Sequence, residues 1–241
     1  MKDFFTGLQF LTRIRVVRQT DWSPDSFGRS VKYFTLIGGI IGLVLAGLNY
    51  LLSQFLPTHV LAAILILAEI LLTGGLHCDG FMDTADGVFS GRSRERMLEI
   101  MKDSRVGANG VVAFGMLILL KYSLIIDMTP TLLTTALLIM PVAGRMAMVA
   151  SITLFPYARP DGMGKAFAQY AGKATLFITA LMALLIIVPF GLQASVCAGV
   201  AVLAGVVSAR YFASVLGGLT GDTYGAVTEL TELMALLVFV V

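Results

Sequence analysis

The feature that most restricts this chain is the length of its apolar runs. Stretches at about 33–53, 58–76, 110–127, 131–154, 174–191 and 194–216 approach the ~20 residues that carry an α-helix across a bilayer, and a shorter run closes the chain at 230–241. Backbone in hydrocarbon must satisfy its own hydrogen bonds, so runs of this length fold as helices. The expected architecture is all-α: a polytopic membrane bundle of about seven transmembrane helices, built as one membrane-embedded domain over 1–241. The last run is short and is expected to lie partly in the interface or to cross a thinned region. Breakers fit these limits: Pro57 and Pro130 stand in tight connections, Pro156 and Pro160 end the fourth run, and Pro189 closes the fifth. Apolar residues make up 57% of the chain and charged residues 13%, against about 25% charged in a soluble domain. That balance excludes an ordinary soluble domain and, more firmly, a disordered one.

The charges set the orientation. Lys2, Arg13, Arg15, Arg18, Arg29 and Lys32 precede the first run. Arg92, Arg94, Arg96, Lys102 and Arg105 lie in 77–109, and Arg159, Lys165 and Lys173 in 155–173. The alternate connections, around 54–57, 128–130 and 190–194, carry no basic residue. Basic loops stay on the cytoplasmic side, so the N-terminus and the long polar loops are expected in the cytoplasm, and an odd number of spans puts the C-terminus outside. Met1 to Arg18 holds no apolar core followed by a cleavage site, and no removable signal peptide is expected. A net charge of +2 offers no case for nucleic acid. Cys78 and Cys197 read as two free thiols. Gly38 and Gly42, and again Gly217, Gly221 and Gly225, have the spacing that lets helices approach closely, although membrane helices are rich in glycine generally.

The chemistry-bearing stretch is Thr73 to Gly110, TGGLHCDGFMDTADGVFSGRSRERMLEIMKDSRVGANG. Asp79, Asp83 and Asp86 stand at i, i+4 and i+7, within an arc of roughly 60° on one helix face. Carboxylates so close raise one another's pKa, and a hard divalent cation relieves the repulsion; Mg²⁺ is usual where phosphate completes the shell. A solvated acidic helix end is the alternative, weakened because no basic residue lies between positions 33 and 91. Arg92, Arg94 and Arg96 then precede a short amphipathic helix, with Ser93 as N-cap candidate and Met97, Leu98 and Met101 as its apolar edge. Anchoring at the cytoplasmic face explains these arginines as readily as phosphate binding does. Asp103 and Arg105 re-enter the membrane surface as a second metal ligand and a phosphate clamp, or as a simple ion pair. Carboxylates, a cation and arginines together suit chemistry on a phosphate or diphosphate. No phosphate-binding loop and no GxGxxG opening a helix is present.

Other polar positions carry less. Glu69 and Arg145 lie inside apolar runs and need partners. His77 adjoins the acidic face but points roughly opposite to it on a helix, which favours packing or support over ligation. Asp222, in GGLTGDTYGA, either joins the site or caps a helix, and Glu229 and Glu232 follow on the same helical side.

LTGGLHCDGFMDTADGVFSGRSRERMLEIMKDSRVGANG resembles the signature of cobalamin synthase, the adenosylcobinamide-GDP ribazoletransferase family. LQFLTRIRV, YFTLIGGIIG and GGLTGDTYGAVTELTEL resemble further family segments in the family's order, with Arg15 standing where proline is expected. The resemblance covers nearly the whole chain. It implies a multi-pass catalytic domain in the cytoplasmic (inner) membrane, with the lipid bilayer around it and the active site facing the cytoplasm; a homo-oligomer is compatible with it. The implied reaction is the last assembly step of cobalamin biosynthesis. Adenosylcobinamide-GDP and α-ribazole, or its 5′-phosphate, would give adenosylcobalamin, or its 5′-phosphate, and GMP.

On that resemblance Mg²⁺ is expected on Asp79, Asp83, Asp86 and Asp103. The ribose 3′-hydroxyl attacks the cobinamide-side phosphorus. Asp83 or Asp103 accepts its proton, Arg92 or Arg105 stabilises the transferring phosphate, and His77 and Asp222 contact substrate. The loop at 155–173 is a candidate wall for the corrin. The run DGFMDTADG is also similar, in part, to the motif of the CDP-alcohol phosphotransferases, which would release CMP instead. A transporter would use Glu69 and Arg145 as a pathway, though no inverted repeat supports it.

Overall fold

A computed structural model describes residues 2–18 and 22–241; Met1, where the reading of the amino terminus begins, lies outside them. Among the described residues the chain forms α-helices and 3₁₀ turns with no β-strand. The helices are α1 (Lys2–Leu11), α2 (Pro24–Ser30), α3 (Phe34–Leu52), α4 (Thr58–Thr73), α5 (Leu76–Val88), α6 (Arg94–Ile100), α7 (Ala108–Asp127), α8 (Pro130–Leu154), α9 (Met163–Tyr170), α10 (Lys173–Ile187), α11 (Gly191–Leu216) and α12 (Gly221–Val240). The all-α membrane bundle expected from the apolar runs is the architecture found.

The bundle forms around α8, whose residues from Leu133 to Ile152 are mostly buried. Small residues admit its neighbours. A Cβ on Gly42 of α3 would stand 2.5 Å from the Leu138 carbonyl oxygen, and one on Gly38 would meet that of Pro141. The glycine pair is therefore a close backbone approach and not mere enrichment. On the far side Gly144 faces the Glu232 side chain on α12, and Gly205 of α11 makes room for Thr231. In the second glycine set the roles divide. Gly225 packs on the His77 backbone, Gly217 ends α11 in the left-handed region (φ +70°), and Gly221 faces open space.

Length and composition alone do not reproduce the count of seven. By length and composition five helical stretches can cross a membrane: Pro24–Leu52, α7, α8, Lys173–Leu216 and α12. The count rises to six if α4 and α5 form one broken span. Two local events account for the difference. The runs 174–191 and 194–216 join through the 3₁₀ turn Val188–Phe190 into one stretch of 44 residues. This stretch folds back at Gly191 (φ +93°), since Leu184 and Ala198, about 21 Å apart in a straight helix, line one cleft with Met146, so the two runs stay separate helices as their sequence limits expected. The second event is a 92° bend between α4 and α5. Gly74 and Gly75 sit there in consecutive left-handed conformations (φ +67° and +70°), which glycine adopts without a Cβ penalty. The Arg13 guanidinium fills the place a Gly74 side chain would take, and the Arg13 N–H donates to the Leu72 carbonyl at 2.7 Å. We read α5 as turned out of the spans.

The polar connections gather at one end of the bundle. α2 meets α9 where Gly28 abuts Tyr170, and Arg94 of α6 donates through Nε to the Leu216 carbonyl at 2.7 Å, closing the C-terminus of α11. The anticipated helix after Ser93 is present, but the Ser93 side chain makes no capping bond.

Candidate active site

α5 carries the acidic residues and α12 crosses it. The crossing is tight because two glycines meet it: a Cβ on Gly80 would lie 2.7 Å from the Asp222 carbonyl oxygen, and one on Gly225 would lie 3.1 Å from that of His77. Thr220 caps α12, accepting from the Thr223 N–H at 3.2 Å, so Asp222 falls in the first turn and does not itself cap. The 155–162 connection is stitched to the same turn: the Ala158 N–H donates to Leu219 O at 2.7 Å and the Leu219 N–H to Pro156 O at 2.8 Å. The stitch delivers Arg159, whose Nη2 stands 2.8 Å from Asp222 Oδ2. Sequence reasoning saw Arg159 only as one charge of a basic loop.

Asp79 is exposed and Asp83 half-buried. Burial, and then the like charges of Asp222 and Asp79, push the Asp83 carboxyl up to about 7, with Arg159 opposing them. This is the mutual repulsion expected of the acidic face, strengthened by a fourth aspartate that α12 contributes. Two cavities meet at Asp79. The larger, of about 690 Å³, runs beside Arg13, Thr73, Gly74 and Trp22. The smaller, of about 180 Å³, lies between α5, α9 and α12 and is lined by His77 and Asp222. His77 thus shares a cavity with Asp79 and with Asp222 of α12, because α12 encloses that side of α5.

The other sequence candidates sit apart. Asp86 is buried and accepts from the Gly107 N–H at 2.7 Å and the Gly110 N–H at 2.8 Å. It caps α7 from another helix, where a carboxylate also complements the helix dipole. Asp103 is exposed and clasped by Arg105, whose Nη2 and Nε donate at 2.7 Å and 3.0 Å. Those bonds hold its carboxyl low, at about 2. Asp86, Asp103 and Arg105 line a third cavity of about 290 Å³ with Arg96 and Asn109. Arg92 is exposed in the turn before α6, its backbone N–H donating to Ser90.

Inside the bundle Glu69, Arg145, Glu229 and Glu232 converge. Lys121 of α7 joins them, with Nζ 3.2 Å from Glu69, 2.8 Å from Glu229 and 3.2 Å from Glu232, and Arg145 pairs with Glu232. Cys78 Sγ donates to Glu229 at 3.4 Å. Lys121 escaped the sequence reading, although a lysine within an apolar run is itself a signal of buried counter-charge.

Among the described residues no three histidine, cysteine, aspartate or glutamate side chains converge to hold an ion by themselves. Asp79 stands where the two cavities meet, and Asp83 and Asp222 lie close enough for the three charges to repel; all three offer hard carboxylate oxygens. Such a set fits Mg²⁺, which is usually held by one or two carboxylates and completes its shell with water and substrate phosphate.

Comparison with known proteins adds a second line. The family model described as cobalamin-5-phosphate synthase matches residues 3–240. An adenosylcobinamide-GDP ribazoletransferase of Clostridium acetobutylicum is 39% identical over 228 residues, covering 93% of this chain and 90% of the relative. The protein of that name from Acetivibrio thermocellus is 38% identical over 99% of this chain and 97% of the relative. That from Desulforamulus reducens is 42% identical over 85% and 82%. No solved structure matches.

Proposed function

The chain belongs to the cobalamin-5-phosphate synthase family, and from that premise we propose that it is an adenosylcobinamide-GDP ribazoletransferase. It joins the cobinamide phosphate of adenosylcobinamide-GDP to α-ribazole, or to its 5′-phosphate, and releases GMP. The observation that carries the reading is the family match over almost the full length, with its signature segment forming the acidic face of α5. The expected setting is the cytoplasmic membrane, with the polar end of the bundle toward the cytoplasm, because that end carries the basic loops.

Asp79 and Asp83 would hold Mg²⁺, which neutralises the diphosphate oxygens when bound. Arg159, kept near the carboxylates by the stitched 155–162 connection, orients the transferring phosphate. The ribose 3′-hydroxyl oxygen bonds to the cobinamide-side phosphorus as the bond from that phosphorus to the bridging oxygen breaks. Asp83 accepts the hydroxyl proton, and GMP leaves with the electron pair. Asp83 suits this role better than Asp103, whose carboxyl is occupied by Arg105. Asp86 acts one step back by fastening α7 to α5. Arg105, paired with Asp103 in the third cavity, stands apart from these carboxylates.

The test is a GMP-release assay on the purified protein with adenosylcobinamide-GDP, α-ribazole and Mg²⁺. Release should require both substrates and stop on adding a chelator. Release of CMP from a CDP-alcohol in place of GMP would overturn the reading.

A further inference from the structure

The smaller cavity is unlike the rest of the site. Its walls are apolar, formed by Phe10, Met148 and Phe167, and its rim carries Asp79 and Asp222. Two polar residues line it, His77 and Tyr224, each 2% exposed. His77 Nε2 and Tyr224 Oη are both buried with no hydrogen-bond partner among the described residues. An unsatisfied buried polar atom costs about 1–3 kcal/mol, so two at one cavity wall mark a place where a ligand supplies the missing partner.

We propose that this cavity is the subsite for the heteroaromatic base of the acceptor nucleoside, with Tyr224 and His77 reading its ring-nitrogen edge. The inference rests on the ribazoletransferase reading. Its ligand chemistry follows from the walls. A benzimidazole is flat and apolar, with one free ring nitrogen to accept a hydrogen bond, which suits two polar atoms in an apolar slot of about 180 Å³. The guanine of the donor carries several donors and acceptors along its edge and would leave most of them unpaired here. A base seated against Tyr224 puts its ribose at the rim, beside Asp79 and Asp222, where the hydroxyl must react. The larger cavity, meeting this one at Asp79, is left for the nucleotide-capped donor.

Two variants of the full chain, purified in detergent, test this. Tyr224→Phe removes only the hydroxyl. Gly221→Leu adds bulk at the mouth of the smaller cavity, where a new Cβ has no heavy atom within 4 Å. GMP release is measured with each substrate varied in turn, alongside thermal unfolding. Tyr224→Phe should raise KM for α-ribazole about tenfold, the worth of one hydrogen bond, and Gly221→Leu at least as much. KM for adenosylcobinamide-GDP should stay within about twofold in both. In the wild-type protein free 5,6-dimethylbenzimidazole should compete with α-ribazole but not with the donor, a result that needs no variant to fold. A rise confined to the donor's KM, an unchanged KM for α-ribazole in both variants, or inhibition competitive with the donor overturns the assignment. Failure of the wild-type protein to release GMP from the two substrates sinks the functional reading itself.

Discussion

Two groups of charged side chains touch α5, and the fold treats them in opposite ways. Inward of Cys78, Glu69, Glu229 and Glu232 all meet Lys121, and Glu232 also meets Arg145. Outward of Cys78, Asp79, Asp83 and Asp222 crowd together with Arg159 as the close cation among the described residues. The physical setting explains the contrast. In a lipid-surrounded core an unmatched charge is too costly to keep, so three carboxylates there are tied to two cations and a thiol. At the aqueous end water solvates the surplus, and negative charge can be left for a cation and a phosphate-bearing ligand. The inner group holds four helices together; the outer group is held ready by them.

Five substitutions test that division. Asp83→Asn removes the proposed proton acceptor and should lower GMP release by about 10²–10⁴-fold, with an unchanged unfolding midpoint. Marked destabilisation instead would place Asp83 with the inner group. Lys121→Met strands three buried carboxylates and should destabilise the protein by about 3–5 kcal/mol, read by thermal unfolding in detergent. Adding Glu69→Gln to that variant should recover part of the loss, because it deletes one of the stranded charges. Asp86→Asn sets an amide NH₂ against one of two backbone N–H donors and should cost about 1–3 kcal/mol, between the two extremes. Cys78→Ala removes a weak bond between the groups and should cost less than about 1.5 kcal/mol; a larger loss would show the two regions to be one cooperative unit.

Much of this was legible in the residues. Apolar run length revealed the membrane bundle, because lipid leaves helices as the solution for such a run. The spacing of Asp79, Asp83 and Asp86 revealed an acidic helix face. Other features depend on what packs against what. Asp86 looks like its two neighbours in sequence, and only the approach of α7 turns it toward Gly107 and Gly110. Arg159 acquires its place from the stitch of Tyr157 to Leu219, a contact spanning 62 residues that no local pattern announces. The span count has a related history. Pro189 marked the break that the reversal at Gly191 completes, whereas hydropathy measures only how apolar a run is and is blind to the bend at Gly74–Gly75. His77 gains its company from α12, because a helical wheel shows one helix and not the second that covers it.

The clasp that Asp86 makes on α7 has a practical consequence. It pins together both ends of the 89–106 excursion, so the excursion can be lengthened without pulling on the bundle. Gly91, in a turn with φ +64° and open space around it, is the natural point of insertion. A fluorescent domain grafted there would emit only if it matured on the cytoplasmic side, turning one buried carboxylate's geometry into a direct reading of which way the enzyme faces.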